Sequence, residues 1–98
     1  MTRCAQVVAV KYLGNRLIEV EFNDGLIRQL EFRKNWLGNL ECLNHDDFLS
    51  KVEVDLVAHT LCWPNSIDLD PEVLYGSHQP ATGGEYFTVV NEIKAISK

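Results

Sequence analysis

Three acids stand at alternating positions, Asp68, Asp70 and Glu72, in the run Trp63-Pro64-Asn65-Ser66-Ile67-Asp68-Leu69-Asp70-Pro71-Glu72. Carboxylates so spaced can gather around a divalent cation or receive a basic partner, since ionised oxygens serve both. With the tryptophan and asparagine beside them they make one candidate partner-binding set: Trp63, Asn65, Asp68, Asp70 and Glu72. The same residues also have an architectural use. Asp70 suits a helix N-cap with Pro71 at the first helical position, Asn65-Ser66 suits a turn, Asp68 can satisfy loop N–H groups, and Trp63 can fill a core. An EF-hand would need a longer ligand series, a mid-loop glycine and a terminal glutamate, and the run has none of these.

Other chemistry-bearing residues are poorly placed for catalysis. His59 and Cys62 are three apart, which on a strand sends them to opposite faces. His45-Asp46-Asp47 reads as the start of a helix, where acids complement the dipole. Ser50, Ser66 and Ser77 lack a nucleophile-elbow context, and there is no glycine-rich phosphate loop. Glu19/Glu21 and Glu53/Asp55 sit at solvent-facing positions of alternating segments. The expectation is a chain with no catalytic, metal or cofactor site, and not an enzyme.

The elements that must position these residues follow from periodicity. Gln6–Tyr12 alternates and is rich in valine, so it reads as a strand, with Gly14-Asn15 as the turn after it. Leu17–Phe22 puts Ile18, Val20 and Phe22 on one face and Glu19 and Glu21 on the other. Leu26–Phe32 is its hairpin partner. A two-residue Asp24-Gly25 turn would set Ile18 opposite Glu31, whereas a three-residue loop with Gly25 left-handed sets Ile18 opposite Leu30 and Val20 opposite Arg28. The second register keeps apolar against apolar and is preferred.

Asn35–Leu43 is irregular, with Trp36, Leu37, Leu40 and Leu43 as plugs for the open sheet face. Asn44 is expected to cap a two-turn helix over His45–Ser50. Lys51–Leu56, with Val52, Val54 and Leu56 inward, pairs with His59–Trp63 as a second hairpin, which Pro64 ends. A short helix opens at Pro71, and Ser77–Gly84 reads as a linker. Tyr86, Val89, Val90, Ile93 and Ile96 fall at helical spacing, predicting an amphipathic helix over Tyr86–Ser97 that either completes the core or joins two copies in a homodimer, with a strand at Phe87-Thr88-Val89-Val90 as the alternative reading. The expected fold class is α+β: a small, mainly antiparallel sheet of two hairpins plus an N-terminal strand, with short helices and that C-terminal amphipathic helix. Residues 1–76 would form the principal domain, and 77–98 a linker and amphipathic segment packed on it.

Composition bounds the partners. The 98 residues carry 14 acids against 9 bases, net −5, which argues against a chain held on nucleic acid by bulk charge. Residues 1–34 hold six bases and four acids, net +2, and residues 35–98 hold three bases and ten acids, net −7. No apolar run approaches the roughly 20 residues of a membrane helix, and the start carries no apolar export segment, so a cytoplasmic protein is expected. Cys4, Cys42 and Cys62 are odd in number and lack a C-x-x-C pair, so they read as buried hydrophobes in a reducing compartment.

Two stretches together carry a resemblance. Leu17-Ile18-Glu19-Val20-Glu21-Phe22-Asn23-Asp24-Gly25, followed by Trp63-Pro64-Asn65-Ser66-Ile67-Asp68-Leu69-Asp70-Pro71-Glu72-Val73-Leu74-Tyr75, resembles the bacterial family called domain of unknown function 2442. That family shows an alternating strand with F-x-D-G and, later, W-P-N-G-x-D-L-x-P-E-x-L-Y. Ser66 stands where the family has glycine, and Glu31 where it has aspartate. The resemblance covers roughly Val7 to Tyr75 and implies a small α+β domain without an established activity. Members accompany toxin-like proteins or carry helix-turn-helix domains, which implies an accessory or antitoxin-like interaction module. The expectation is a module that binds a basic partner protein and meets nucleic acid only through a partner. Two other readings stand beside it. One is a DNA-linked regulator using Arg3, Lys11, Arg16, Arg28, Arg33 and Lys34, and the other a weak cation or small-molecule site at Asp68, Asp70 and Glu72.

Overall fold

The computed structural model describes residues 6–64, 67–69, 71–75 and 87–94. In chain order they form β1 (Val7–Gly14), β2 (Leu17–Phe22), β3 (Leu26–Phe32), a 3-10 helix (Gly38–Asn44), α1 (Asp46–Leu49), β4 (Glu53–Asp55), β5 (Thr60–Trp63), β6 (Ile67–Asp68), α2 (Pro71–Tyr75) and β7 (Phe87–Lys94). Two antiparallel sheets result, one ordered β1-β2-β3-β7 and the other β4-β5-β6.

Alternation builds the first sheet. Ile18, Val20 and Phe22 of β2 and Leu26, Leu30 and Phe32 of β3 are buried, and their neighbours turn outward. The β2–β3 register sets Ile18 opposite Leu30 and Val20 opposite Arg28, as the three-residue loop requires. Gly25 has φ +92°, a left-handed conformation that suits glycine, and its N–H donates to the Phe22 carbonyl. Arg28 leaves the apolar stripe by reaching α2, where Nη1 donates to the Leu74 carbonyl at 2.8 Å and Nε to Glu92 Oε1 at 3.2 Å. An out-of-pattern base thereby closes the carbonyl end of one helix and ties it to β7.

One continuous core serves both sheets. It runs from Val7, Ile18, Val20, Phe22, Leu26, Leu30 and Phe32 through Trp36, Leu43 and Leu49 to Leu61, Trp63, Ile67 and Leu74. Phe32 is the aromatic centre of this core. Its ring lies 5.5 Å from Trp36, 5.5 Å from Phe87 and 6.2 Å from Trp63, so it joins β3, β5 and β7 to the segment before the 3-10 helix.

The α+β expectation is corrected: the fold is mainly antiparallel β, with only short helices. Phe87–Lys94 is a strand, where helical spacing had predicted a helix over Tyr86–Ser97. Phe87-Thr88-Val89-Val90 are aromatic and β-branched residues that favour a pleat, and β3 offers a long free edge for them. The spacing is misleading because the β3–β7 register shifts between Gln29 and Leu30, inserting Val90 as an extra residue. Tyr86 and residues 95–98 lie outside the described residues.

Smaller corrections share a cause, backbone geometry that composition does not encode. The first hairpin turns at Asn15-Arg16, both at positive φ, rather than at Gly14-Asn15. Helix α1 has four residues, and its N-cap is His45. Asn44 instead clips Trp36: its Oδ1 accepts from the Trp36 N–H at 2.9 Å and its Nδ2 donates to the Trp36 carbonyl at 3.0 Å. Leu37 and Leu56, expected inward, are exposed, and β6 was not anticipated at all. Among the described residues no helix is long and apolar enough to cross a membrane.

Candidate functional site

The tryptophan-to-tyrosine motif is distributed between core and surface. Trp63 is 4% exposed, and its Nε1 donates to the Leu49 carbonyl at 3.0 Å, so β5 holds it against α1. Ile67 pairs with Trp63 and is buried, while Asp68 pairs with Cys62 and faces solvent. The hydroxyl of Thr60 donates to the Leu69 carbonyl, and the Leu69 N–H donates to Leu61, which carries the chain toward α2. Helix α2 begins at Pro71, the residue type preformed for a first helical position. Asn65 and Asp70 lie outside the described residues, and Glu72 is placed within α2 by its backbone alone.

The end of the motif returns to the first sheet. The Tyr75 hydroxyl donates to Asp24 Oδ2 at 2.5 Å, and the Tyr75 ring meets Phe22 edge-on at 5.0 Å. Asp24 Oδ1 meanwhile accepts from the Leu26 N–H at 3.0 Å. One carboxylate thus fixes the β2–β3 turn and anchors α2. The hydrogen bond to Asp24, burial and the Asp24 charge raise the Tyr75 phenol above its ordinary value.

The exposed face of the second sheet gathers acids. Glu53 pairs with Cys62, and Cys62 with Asp68, so one rung carries carboxylates on both sides of a thiol. Burial first, then the charges of Asp55, Glu53 and Asp68, push that thiol up. At the hairpin end Asp55 Oδ1 accepts from the N–H groups of Val57 at 2.9 Å and Ala58 at 3.1 Å. Those N–H groups, Ala58 first, hold the Asp55 carboxyl below its usual range. The His59 N–H closes the loop on the Asp55 carbonyl, with His59 at φ +58°. This fixed loop presents Leu56 at 79% and Val57 at 89% exposure. Among the described residues no three of His, Cys, Asp and Glu are arranged to hold a metal ion.

Sequence reasoning missed the role of Arg16. It is 8% exposed and donates from every N–H of its guanidinium: Nε to Phe32, Nη2 to Arg33 and Leu43, and Nη1 to Asn44 and to Asp46 Oδ1. All acceptors but Asp46 are backbone carbonyls, so no sequence motif marks them. Arg16 pins the β1–β2 turn to the end of β3 and to α1. Of the bases grouped at first as a nucleic-acid face, Arg16 and Arg28 are committed inside the fold, and Arg33 Nη2 donates to the Thr88 hydroxyl. An open groove of about 670 Å³ lies there, lined by Arg33, Lys34, Asn35 and Thr88 together with Glu31.

A family model described as protein of unknown function (DUF2442) matches residues 7–79. No curated protein and no solved structure matches the chain.

Proposed function

This chain belongs to the DUF2442 family of proteins of unknown function, and we propose that it is an interaction module whose acidic second sheet binds a basic partner protein. The observation that carries this reading is the β4–β5 hairpin tip. Leu56 and Val57, at 79% and 89% exposure, stand beside Asp55 on a sheet whose outer rung is Glu53–Cys62–Asp68. Residues 38–69, from which this sheet and the helices before it are built, contain six acids and one base. An apolar anchor rimmed by like charges is the composition of a binding surface, where burial of the anchor supplies affinity and the rim selects partners of opposite sign. The partner is a basic protein with an apolar recess, and the module neutralises or escorts it in the manner of an antitoxin.

The test is a pull-down from native lysate at about 50 mM and about 500 mM salt, since screening shortens the reach of the rim charges. A partner held at low salt, released at high salt and lost with Leu56→Ser/Val57→Ser supports the reading. Absence of any salt-sensitive partner overturns it.

A further inference from the structure

We propose that two copies of this chain join antiparallel along β7, extending the four-stranded sheet into one of twice that width. β3 occupies one side of β7, and among the described residues no strand lies against the other. An open strand edge is a row of backbone donors and acceptors ready for another chain. Here it spans the whole of Phe87–Lys94, and Val89, Val90 and Ile93 along it are 38%, 49% and 50% exposed.

The strand matches itself face for face in a register centred on Val90 and Asn91. Its pairing with β3 places Phe87, Val89 and Glu92 on the core face, opposite Phe32, Leu30 and Arg28. Thr88, Asn91 and Ile93 take the outer face, opposite Glu31, Gln29 and Ile27. A twofold axis through the sheet between Val90 and Asn91 sets Thr88 opposite Ile93 of the second copy, outer against outer. It also sets Val89 opposite Glu92, core face against core face. A slip of one residue in either direction opposes Thr88 to Glu92 or Val89 to Ile93 and breaks the match. In the matched register no acid faces an acid: each Glu92 lies opposite a Val89 and keeps its ion pair with Arg28.

Charge selects a second copy on this side of the molecule. The strands of the first sheet contain three bases and four acids, close to balance, whereas residues 38–69 are net −5. A copy approaching along β7 meets the balanced sheet and leaves both acidic sheets free. The closed twofold also ends the assembly at two, since the β7 edges satisfy each other.

Sedimentation velocity on the full chain, over about three decades of concentration up to ~1 mM, tests this. The expected mass rises from 11.1 kDa to twice that value. Thr88→Lys/Ile93→Lys puts like charges on both symmetric rungs and should weaken association at least about tenfold. Thr88→Glu/Ile93→Lys puts opposite charges on the same rungs and should restore it. Circular dichroism checks that each variant is folded. A mass of 11.1 kDa at every concentration overturns the proposal. So does a dimer indifferent to the like-charge pair, or one that the opposite-charge pair fails to restore.

Discussion

Tyr75 donates its hydroxyl to Asp24 across 51 residues of sequence, and this bond joins the two stretches by which the family resemblance is recognised. The F-x-D-G turn and the L-Y end of the later motif look unrelated on the chain, yet they form one joint. Phe22 supplies the ring against which Tyr75 packs, Asp24 the acceptor, and Gly25 the left-handed turn that presents Asp24. The specificity of the motif is therefore largely architectural: it records how the α2 segment docks on the first sheet.

Because the joint favours the neutral phenol, it links stability to alkaline pH. The Tyr75 pKa is raised in the folded chain, so its contribution is complete below the ordinary phenol value of 10.0 and is lost as pH rises through the folded value. Tyr75→Phe keeps the ring contact and removes the bond, and should cost about 0.5–1 kcal/mol at neutral pH. The alkaline limb of its stability curve should then be flatter than that of the wild type. Urea denaturation between about pH 7 and pH 11 measures both. Identical alkaline limbs would show that the bond does not couple to folding.

Arg16 poses a sharper test because two requirements conflict at one residue. Its φ of +65° is left-handed, where a side chain costs about 1 kcal/mol relative to glycine. Its guanidinium meanwhile satisfies four backbone carbonyls and Asp46. Arg16→Gly relieves the first and abandons the second. Several poorly solvated carbonyls outweigh one strained dihedral, so Arg16→Gly should destabilise by about 2–4 kcal/mol in denaturant unfolding. Stabilisation instead would mean that water replaces the guanidinium at no cost.

The same contact predicts behaviour in acid. The hydrogen bond from Arg16 lowers the Asp46 pKa below 3.8. Its contribution is therefore present above that value and is lost as pH falls through the folded one. Asp46→Asn should flatten the acid limb of the unfolding curve and leave the limb near neutrality in place. An unchanged acid limb would detach Asp46 from the Arg16 network.

Much of the first sheet was legible because alternation is strict there. The bounds of β2 and β3, the loop between them and the pairing of Ile18 with Leu30 all followed from apolar spacing and one glycine. The C-terminal strand was legible only as an alternative to a helix, in the run Phe87-Thr88-Val89-Val90. An inserted residue at Val90 breaks the two-residue period, and the resulting 86, 89, 90, 93 spacing imitates a helix. Arg16 was hidden for a different reason: its partners are carbonyls, which every residue has. The candidate set around Trp63 was recognisable as a motif, but whether each member packs or faces solvent depends on β6, a strand of two residues. Periodicity needs a longer segment than that.

Trp63 separates packing from recognition within that set. At 4% exposure, and with its indole bound to the Leu49 carbonyl, its truncation opens a cavity and orphans an acceptor. Trp63→Ala should cost about 3–5 kcal/mol. Trp63→Phe, which keeps most of the volume, should cost about 1–2 kcal/mol through the lost bond. Leu56→Ser/Val57→Ser, at the exposed tip, should stay within about 0.5 kcal/mol of the wild type. Thermal and denaturant unfolding of the three variants checks this order. A near-silent Trp63→Ala would return Trp63 to the surface and to the partner.

Cys62 reports directly on the acidic rung. Burial and the carboxylates of Asp55, Glu53 and Asp68 raise its pKa, so the thiolate, which is the reactive form, is scarce in the folded chain. At about pH 8, iodoacetamide should label Cys62 more slowly in the folded chain than in urea. Glu53→Gln/Asp68→Asn removes charge while keeping shape, and should speed labelling of the folded chain. Raising the salt should speed it more in the wild type than in the variant, where Asp55 is the one of these three charges left to screen. Peptide mass spectrometry distinguishes Cys62 from Cys4 and Cys42. Equal rates in wild type and variant would mean that burial and Asp55 govern the thiol, and would remove Glu53 and Asp68 from its electrostatic surroundings.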